Sequence, residues 1–260
     1  MGHLFAEALA IPPGEVVEFT APLNDELRRF ESTDDQPHDF TAALGIVAVP
    51  KDFSPDREWP VLLVSATSDP GYNSSRRLLR QFAAPALKAG WIVIAADPPR
   101  NVEPVADTDQ LRYALLTAAL NRLQAEWPGL AHWPRAFGGF SGGAKRSAIL
   151  GAYSTLLGHP PIGFYQAGCN AAVLAQVLTI PDLPKKPFRA TPVFLSSGRQ
   201  DRIAPPDVMQ SVADELTSAG FGAVKIERFD GGHEVCVPHI EEALRWFADE
   251  RAKGQTPKAK

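Results

Sequence analysis

The strongest constraint on the fold is a set of apolar segments that do not alternate: "PVLLVSAT" at 60–67, "WIVIAAD" at 91–97 and "TPVFLSS" at 191–197. A strand with one wet face alternates apolar and polar residues, so continuous runs of this kind suit strands covered on both faces. Helical patterns lie between them. "NSSRRLLRQFAAPALKAG" follows the first run, and after the second comes an amphipathic stretch with Leu111, Leu115, Ala118 and Leu123 on one face. "RAFGGF" then leads into a helix from about Gly142, whose Ala144, Ala148, Tyr153 and Leu156 are placed to pack on a sheet.

The alternation continues through "PIGFYQAG", a short helix "AAVLAQVL", the 191–197 run, a helix around "PDVMQSVADELTSAG" and "AVKIERF". The last of these does alternate, Val224 and Ile226 against Lys225 and Glu227, as expected of a sheet edge. A final helix places Ile240, Ala243, Leu244 and Phe247 at i, i+3, i+4 and i+7. Upstream, "EVVEFT" and "ALGIVAV" read as antiparallel strands of the same sheet, separated by the polar stretch "ESTDDQPHDF". Right-handed βα crossovers then give an α/β fold, a doubly wound, mostly parallel eight-stranded sheet with helices on both faces. One domain over residues 1–252 is expected, followed by a disordered tail at 253–260.

The bulk numbers exclude several classes of function. Apolar content of 45% and charged content of 22% are ordinary, and no stretch approaches the roughly 18 apolar residues of a membrane span. A net charge of −4 offers no basic face to nucleic acid. The start, "MGHLFAEALAIPPG", has neither a basic n-region nor a sustained apolar core, so the expected location is the cytoplasm, with export after removal of a leader as the alternative. Two cysteines, Cys169 and Cys236, are too few for a disulfide framework or a thiolate metal site; free thiols are expected, with a single bridge between them the alternative in an oxidising compartment. The sequence sets no oligomeric state.

Where the run "RAFGGF" ends, "GGFSGGAKRS" sets Ser141 among glycines. A G-x-S-x-G match arises by chance in about one chain in ten of this length, so its weight comes from the strand–turn–helix setting. At a sharp elbow, Cβ atoms at Gly139 and Gly143 would collide with strand or helix, and the Gly142 N–H would sit at a helix N-terminus, facing a developing oxyanion. The plainer reading is a glycine-rich helix entry with Ser141 as its cap.

A serine hydroxyl needs a base, and the base an acid. His3, His38 and His132 precede the serine, His159 falls at the wrong end of a strand, and His239 falls near or within the last helix. His233, in "FDGGHEV", follows the edge strand in a glycine loop and is the candidate base. Asp201, in "VFLSSGRQDRIAPP", is the candidate acid; the alternative makes it a surface aspartate beside Arg202. Asp97 is better suited to ordering a loop, Asp230 lies too near the histidine and Asp207 too far into a helix.

With serine, aspartate and histidine in this order, the chain resembles the α/β-hydrolase superfamily over about residues 42–250, through "GFSGG", "SGRQDRIAP" and "GGHEV". The lead-in "VAVPKDFSPDREWPVLLV" and the lack of a cap insertion look like small serine esterases of the polyhydroxybutyrate-depolymerase-like and dienelactone-hydrolase-like kind. One departure is the loop after the third strand, where His-Gly is replaced by "VSATSDPGYNSS". The resemblance implies that a backbone N–H of this loop, with Thr67 the choice, joins Gly142 in an oxyanion hole. It implies hydrolysis of a carboxylic ester through an acyl-enzyme, without metal or organic cofactor. The short segment between the sixth and seventh strands leaves room for one helix and no lid, which favours short acyl chains or exposed polymer ends. Tyr72, Cys169, Asn170 and Ile203 are candidate pocket residues, and the partner expected is a small-molecule or polymer-end ester, not nucleic acid or membrane. Two other readings stand: a binding module that keeps the fold without the chemistry, and a hydrolase of amide, lactone or thioester bonds.

Overall fold

The computed structural model describes residues 9–31, 40–100, 102 and 106–255. Eight strands form one sheet: β1 (Val16–Pro22), β2 (Ala42–Ala48), β3 (Val61–Val64), β4 (Ile92–Asp97), β5 (Arg135–Phe140), β6 (Gly163–Ala167), β7 (Val193–Gly198) and β8 (Val224–Phe229). Their order is β1-β2-β4-β3-β5-β6-β7-β8, with β1, β2 and β4 paired antiparallel and all other pairs parallel. The helices are α1 (Asp25–Glu31), α2 (Ser75–Lys88), α3 (Asp109–Glu126), α4 (Gly142–Leu156), α5 (Val173–Gln176), α6 (Lys185–Arg189), α7 (Pro206–Ser218) and α8 (Val237–Gln255).

Every residue of β3, β4, β6 and β7 is buried, because helices cover both faces. On one face Leu79 and Phe82 of α2 and Leu244 and Phe247 of α8 pack with Ile46, Leu62 and Val93. On the other, Leu111 and Leu115 of α3, Ala144 and Ala148 of α4 and Met209 of α7 pack with Val47, Leu63 and Ile94. At about 1.5–3 kcal/mol for each large apolar side chain removed from water, these two layers supply the main force holding the sheet between its helices. The edge strand β8 is half-buried throughout, with Val224 and Ile226 against the core and Lys225 paired with Glu242 at 2.6 Å.

Some expectations are corrected. Leu156 is 37% exposed, because a 15-residue helix spans about 22 Å and its last turn outruns strands of five or six residues. The helix α1, ahead of the polar stretch at 31–40, was not expected, and the segment between β6 and β7 holds two short helices, α5 and α6, instead of one. The last helix runs to Gln255, past the expected start of the tail at 253; residues 256–260, His3 and His38 lie outside the described residues.

The strand order positions the site. The chain leaves β3 for β4 on one side, then crosses to β5 on the other, so the loops after β3 and β5 diverge from adjacent strands. A crevice at the carboxyl ends follows from that reversal.

A buried histidine on α8 links fold and pH. His239 is 8% exposed, and its Nδ1 lies 2.9 Å from Ser196 Oγ. Burial pushes its pKa below the ordinary value against the raising effect of Glu242 and Glu227, with a smaller lowering contribution from Lys225. The unfolded chain therefore takes up this proton first as pH falls. The stabilisation is complete above the ordinary value of 6.5 and drains away below it, toward the lowered folded-state value. Calorimetric Tm is expected to fall as pH drops below about 6.5, with a shallower slope in His239→Gln.

Candidate active site

Ser141 sits between β5 and α4 at φ 56° and ψ −120°, a left-handed backbone that costs a non-glycine residue about 1–3 kcal/mol. Its side chain makes no capping bond to α4, which removes the plainer reading of this serine. The Ser141 N–H donates to the Ala167 carbonyl at 2.8 Å, tying the turn to the end of β6, and the Ser141 carbonyl accepts from Ala144 N–H.

The glycines permit three close approaches. A Cβ on Gly139 would lie 2.3 Å from the Gly143 carbonyl carbon, one on Gly143 would lie 2.2 Å from the Ser65 oxygen, and one on Gly142 would lie 2.1 Å from Thr67 Oγ1. The first is the expected strand–helix collision. The others differ from expectation, since the obstacle is the loop after β3, pressed onto the N-terminus of α4.

Three side chains from separate loops converge here. Asp201 follows β7 and is buried; its Oδ1 accepts the N–H groups of Ile203 and Ala204, both at 2.8 Å. Its Oδ2 lies 2.8 Å from His233 Nδ1. Burial alone would raise the Asp201 pKa, but the Ala204 N–H, the His233 ring and the Ile203 N–H together hold it below the ordinary value. An ionised carboxylate only accepts, so Nδ1 carries the proton and donates, leaving His233 Nε2 to accept from the Ser141 hydroxyl at 2.9 Å. The side chain of Asp201 is 1% exposed and that of His233 is 18% exposed, so the dyad opens toward solvent only at the histidine.

Local bonds hold the two loops together. Arg199 N–H donates to Phe229 O and Gln200 N–H to Gly231 O, while the Phe140 ring lies 4.6 Å from the imidazole, centroid to centroid. Arg202 makes no ion pair with Asp201. Asp97 instead accepts the Ser75 and Arg76 N–H groups at the start of α2 and pairs with Arg112 at 2.7 Å, the loop-ordering role expected of it. Asp230 pairs with Arg199 at the surface, and Asp207 lies in the first turn of α7.

Next to Ser141, two N–H groups point to no acceptor among the described residues. Gly142 is the first residue of α4, where no helical partner exists. In the loop after β3, Ser65 N–H is bonded to the Gly138 carbonyl and Ala66 N–H to Ser75 Oγ, whereas the N–H groups of Thr67 and Ser68 have no acceptor among the described residues; of these two, Thr67 is the residue that lies against Gly142.

A cleft of about 690 Å³ opens onto Ser141 and His233, lined by Thr67, Tyr72, Leu78, Phe140, Ile203 and Val235 among others. Tyr72 and Ile203, at 76% and 59% exposed, stand at its mouth. Two expected lining residues do not line it. Cys169 is buried beneath the surface, its thiol donating to the Ala171 carbonyl, and Asn170 is turned to Lys145 Nζ and the Ile203 carbonyl. Leu78, Arg77 and Gln81 on α2 were missed as lining residues, since a helical apolar pattern does not reveal which of its residues meets a crevice. Cys169 and Cys236 are both free thiols.

No protein-family model and no curated protein matches this sequence. Solved structures do match in shape. An esterase of Pyrococcus furiosus aligns over 96% of this chain and 99% of its own, at 14% identity and TM-score 0.58. A ferulic acid esterase aligns over 91% and 98%, at 14% identity and TM-score 0.63. The chain has the α/β-hydrolase fold. A serine hydrolase without a lid, from Xanthomonas campestris, shares this fold over 97% of this chain and 100% of its own, at 15% identity and TM-score 0.52. Among the described residues, no helix is long and apolar enough to cross a membrane, and no group of three or more His, Cys, Asp or Glu could hold a metal ion.

The contact between the loop after β3 and α4 leaves no space for a methyl group. Gly143→Ala is expected to lower the midpoint of chemical denaturation and to cut soluble yield sharply, whereas Gly158→Ala, where an added Cβ meets no atom within 4 Å, costs only the strain of its positive φ.

Proposed function

We propose that this protein is a serine hydrolase that cleaves carboxylic esters. The observation that carries the reading is the unbroken relay from Ser141 Oγ through His233 to the buried Asp201, beside two N–H donors with no acceptor among the described residues. The esterases and the lid-less serine hydrolase that share its fold support this reading.

In this mechanism His233 Nε2 takes the Ser141 proton as Oγ attacks the ester carbonyl carbon. The carbonyl π-electrons move onto oxygen, and Gly142 and Thr67 N–H groups receive the oxyanion. Asp201, held ionised, keeps the proton on Nδ1 and stabilises the imidazolium. As the tetrahedral intermediate collapses, the C–O bond to the alcohol breaks and His233 delivers its proton to the departing alkoxide. Water, deprotonated by the same nitrogen, then attacks the acyl carbon; the bond from that carbon to Ser141 Oγ breaks, His233 returns its proton to Oγ, and the carboxylic acid product leaves.

Substrate size follows from the cleft. Its volume of about 690 Å³ exceeds what an acetyl group fills, while its open mouth between Tyr72 and Ile203 suits short acyl esters and ester groups displayed at a polymer end. The binding-module reading is weakened by the strain at Ser141, which a surface used only for docking would not require.

Ser141→Ala is expected to lower kcat on p-nitrophenyl butyrate by about 10⁴-fold or more, with KM little changed. A fluorophosphonate probe should add to Ser141 in the wild type and not to this variant, read by peptide mass spectrometry. An unlabelled wild type would favour the binding module. Across a panel of chain lengths, butyryl esters should exceed palmitoyl esters in kcat/KM; amide, lactone and thioester analogues in the same panel test the bond.

A further inference from the structure

The buried side of α4 carries a charged group that the relay does not use. Arg146, on the second turn of the helix, is 5% exposed. Its Nε donates to Asp109 Oδ1 at 2.9 Å and its Nη2 to the Asp107 carbonyl at 2.8 Å, with Asp107 Oδ1 at 3.3 Å. Its Nη1 donates to the Ala66 carbonyl at 3.1 Å.

That carbonyl belongs to the same planar peptide unit as the Thr67 N–H. In a trans peptide the C=O and N–H point in opposite directions, so a donor that fixes the oxygen on one side fixes the direction of the hydrogen on the other. The preceding peptide unit is restrained as well, its Ala66 N–H donating to Ser75 Oγ at 3.3 Å. At the far end of the loop, Arg112 Nη2 donates to the Asn73 carbonyl at 2.7 Å.

We infer that Arg146 is a positioning residue of the oxyanion site: by holding the Ala66 carbonyl it aims the Thr67 N–H at the space above Ser141, and its charge polarises that amide into a stronger donor. The inference rests on the hydrolase reading above. Asp107 and Asp109 neutralise the guanidinium locally, so its influence on the reaction runs through the peptide and not through a long-range field. Gly142, the other donor, begins the same helix. Both halves of the oxyanion site therefore hang from α4, and the loop after β3 is brought to it by hydrogen bonding as well as by contact.

The test uses the full chain as wild type, Arg146→Lys and Arg146→Met, each titrated with a fluorophosphonate so that rates are expressed per reactive Ser141. On p-nitrophenyl butyrate, Arg146→Met should lose about 10²-fold in kcat and Arg146→Lys about tenfold, with KM within about twofold in both. The rate constant for fluorophosphonylation, whose phosphoryl oxygen occupies the same space as the oxyanion, should fall by similar factors. A structural role alone would lower Tm or the titratable fraction and leave kcat per titrated serine unchanged. Arg146→Lys retains the buried charge and serves if Arg146→Met does not fold; wild-type kcat per serine in either variant overturns the inference while leaving the hydrolase reading intact. A wild type that neither hydrolyses the ester nor takes the label overturns the hydrolase reading and this inference with it.

Discussion

The loop after β3 lies directly on the first turn of α4, the Ser65 carbonyl on Gly143 and the Thr67 side chain on Gly142, and the geometry of the site depends on that contact. Gly142 and Gly143 make it possible, since any Cβ there would overlap Thr67 or the Ser65 carbonyl. Between β5 and this first turn, Ser141 takes a left-handed backbone at φ 56°. Strain of about 1–3 kcal/mol persists there because β5, β6 and α4 are each anchored by buried apolar residues that cannot shift independently.

Around this contact lie ion pairs on two buried arginines: Asp97 and Asp107 on Arg112, and Asp107 and the partly exposed Asp109 on Arg146. Burial lowers the Arg112 pKa, but the Asp107 and Asp97 partners more than reverse this, leaving it above the ordinary value. Replacing an ion pair of this kind with apolar residues is often neutral or stabilising, whereas breaking one by removing a partner costs about 3–5 kcal/mol. Its value here is directional. Carboxylates at the end of β4 and the start of α3 hold arginines that reach backbone carbonyls in the loop after β3, and an apolar cluster would leave those carbonyls without partners.

The relay is assembled differently. Asp201 and His233 come from the ends of β7 and β8, which are adjacent in the sheet, and their loops are joined by backbone bonds before the side chains meet. Asp201 turns one oxygen to its own loop and the other to the histidine, so its position and its ionisation have a common origin.

The eight strands were legible because a sheet covered on both faces demands continuous apolar runs, and the edge strand because one wet side restores alternation at Val224 to Glu227. Ser141, Asp201 and His233 were legible from their places after strands, since parallel strands deliver those ends to one edge. Side-chain direction was not: Cys169 and Asn170 follow a strand as suitably as Asp201 does, yet one thiol is turned inward and the amide is bound to Lys145. Nor did Arg146 stand out, as a single cation on a helix reads as solvated until the helix is packed. The linear chain thus determined which segments become strands and helices and which strand ends carry the serine, the aspartate and the histidine, because periodicity and chain order are properties of the sequence itself. Tertiary structure decided which N–H groups remain free, which helix faces the cleft and which charges are buried, because each depends on neighbours contributed by distant segments.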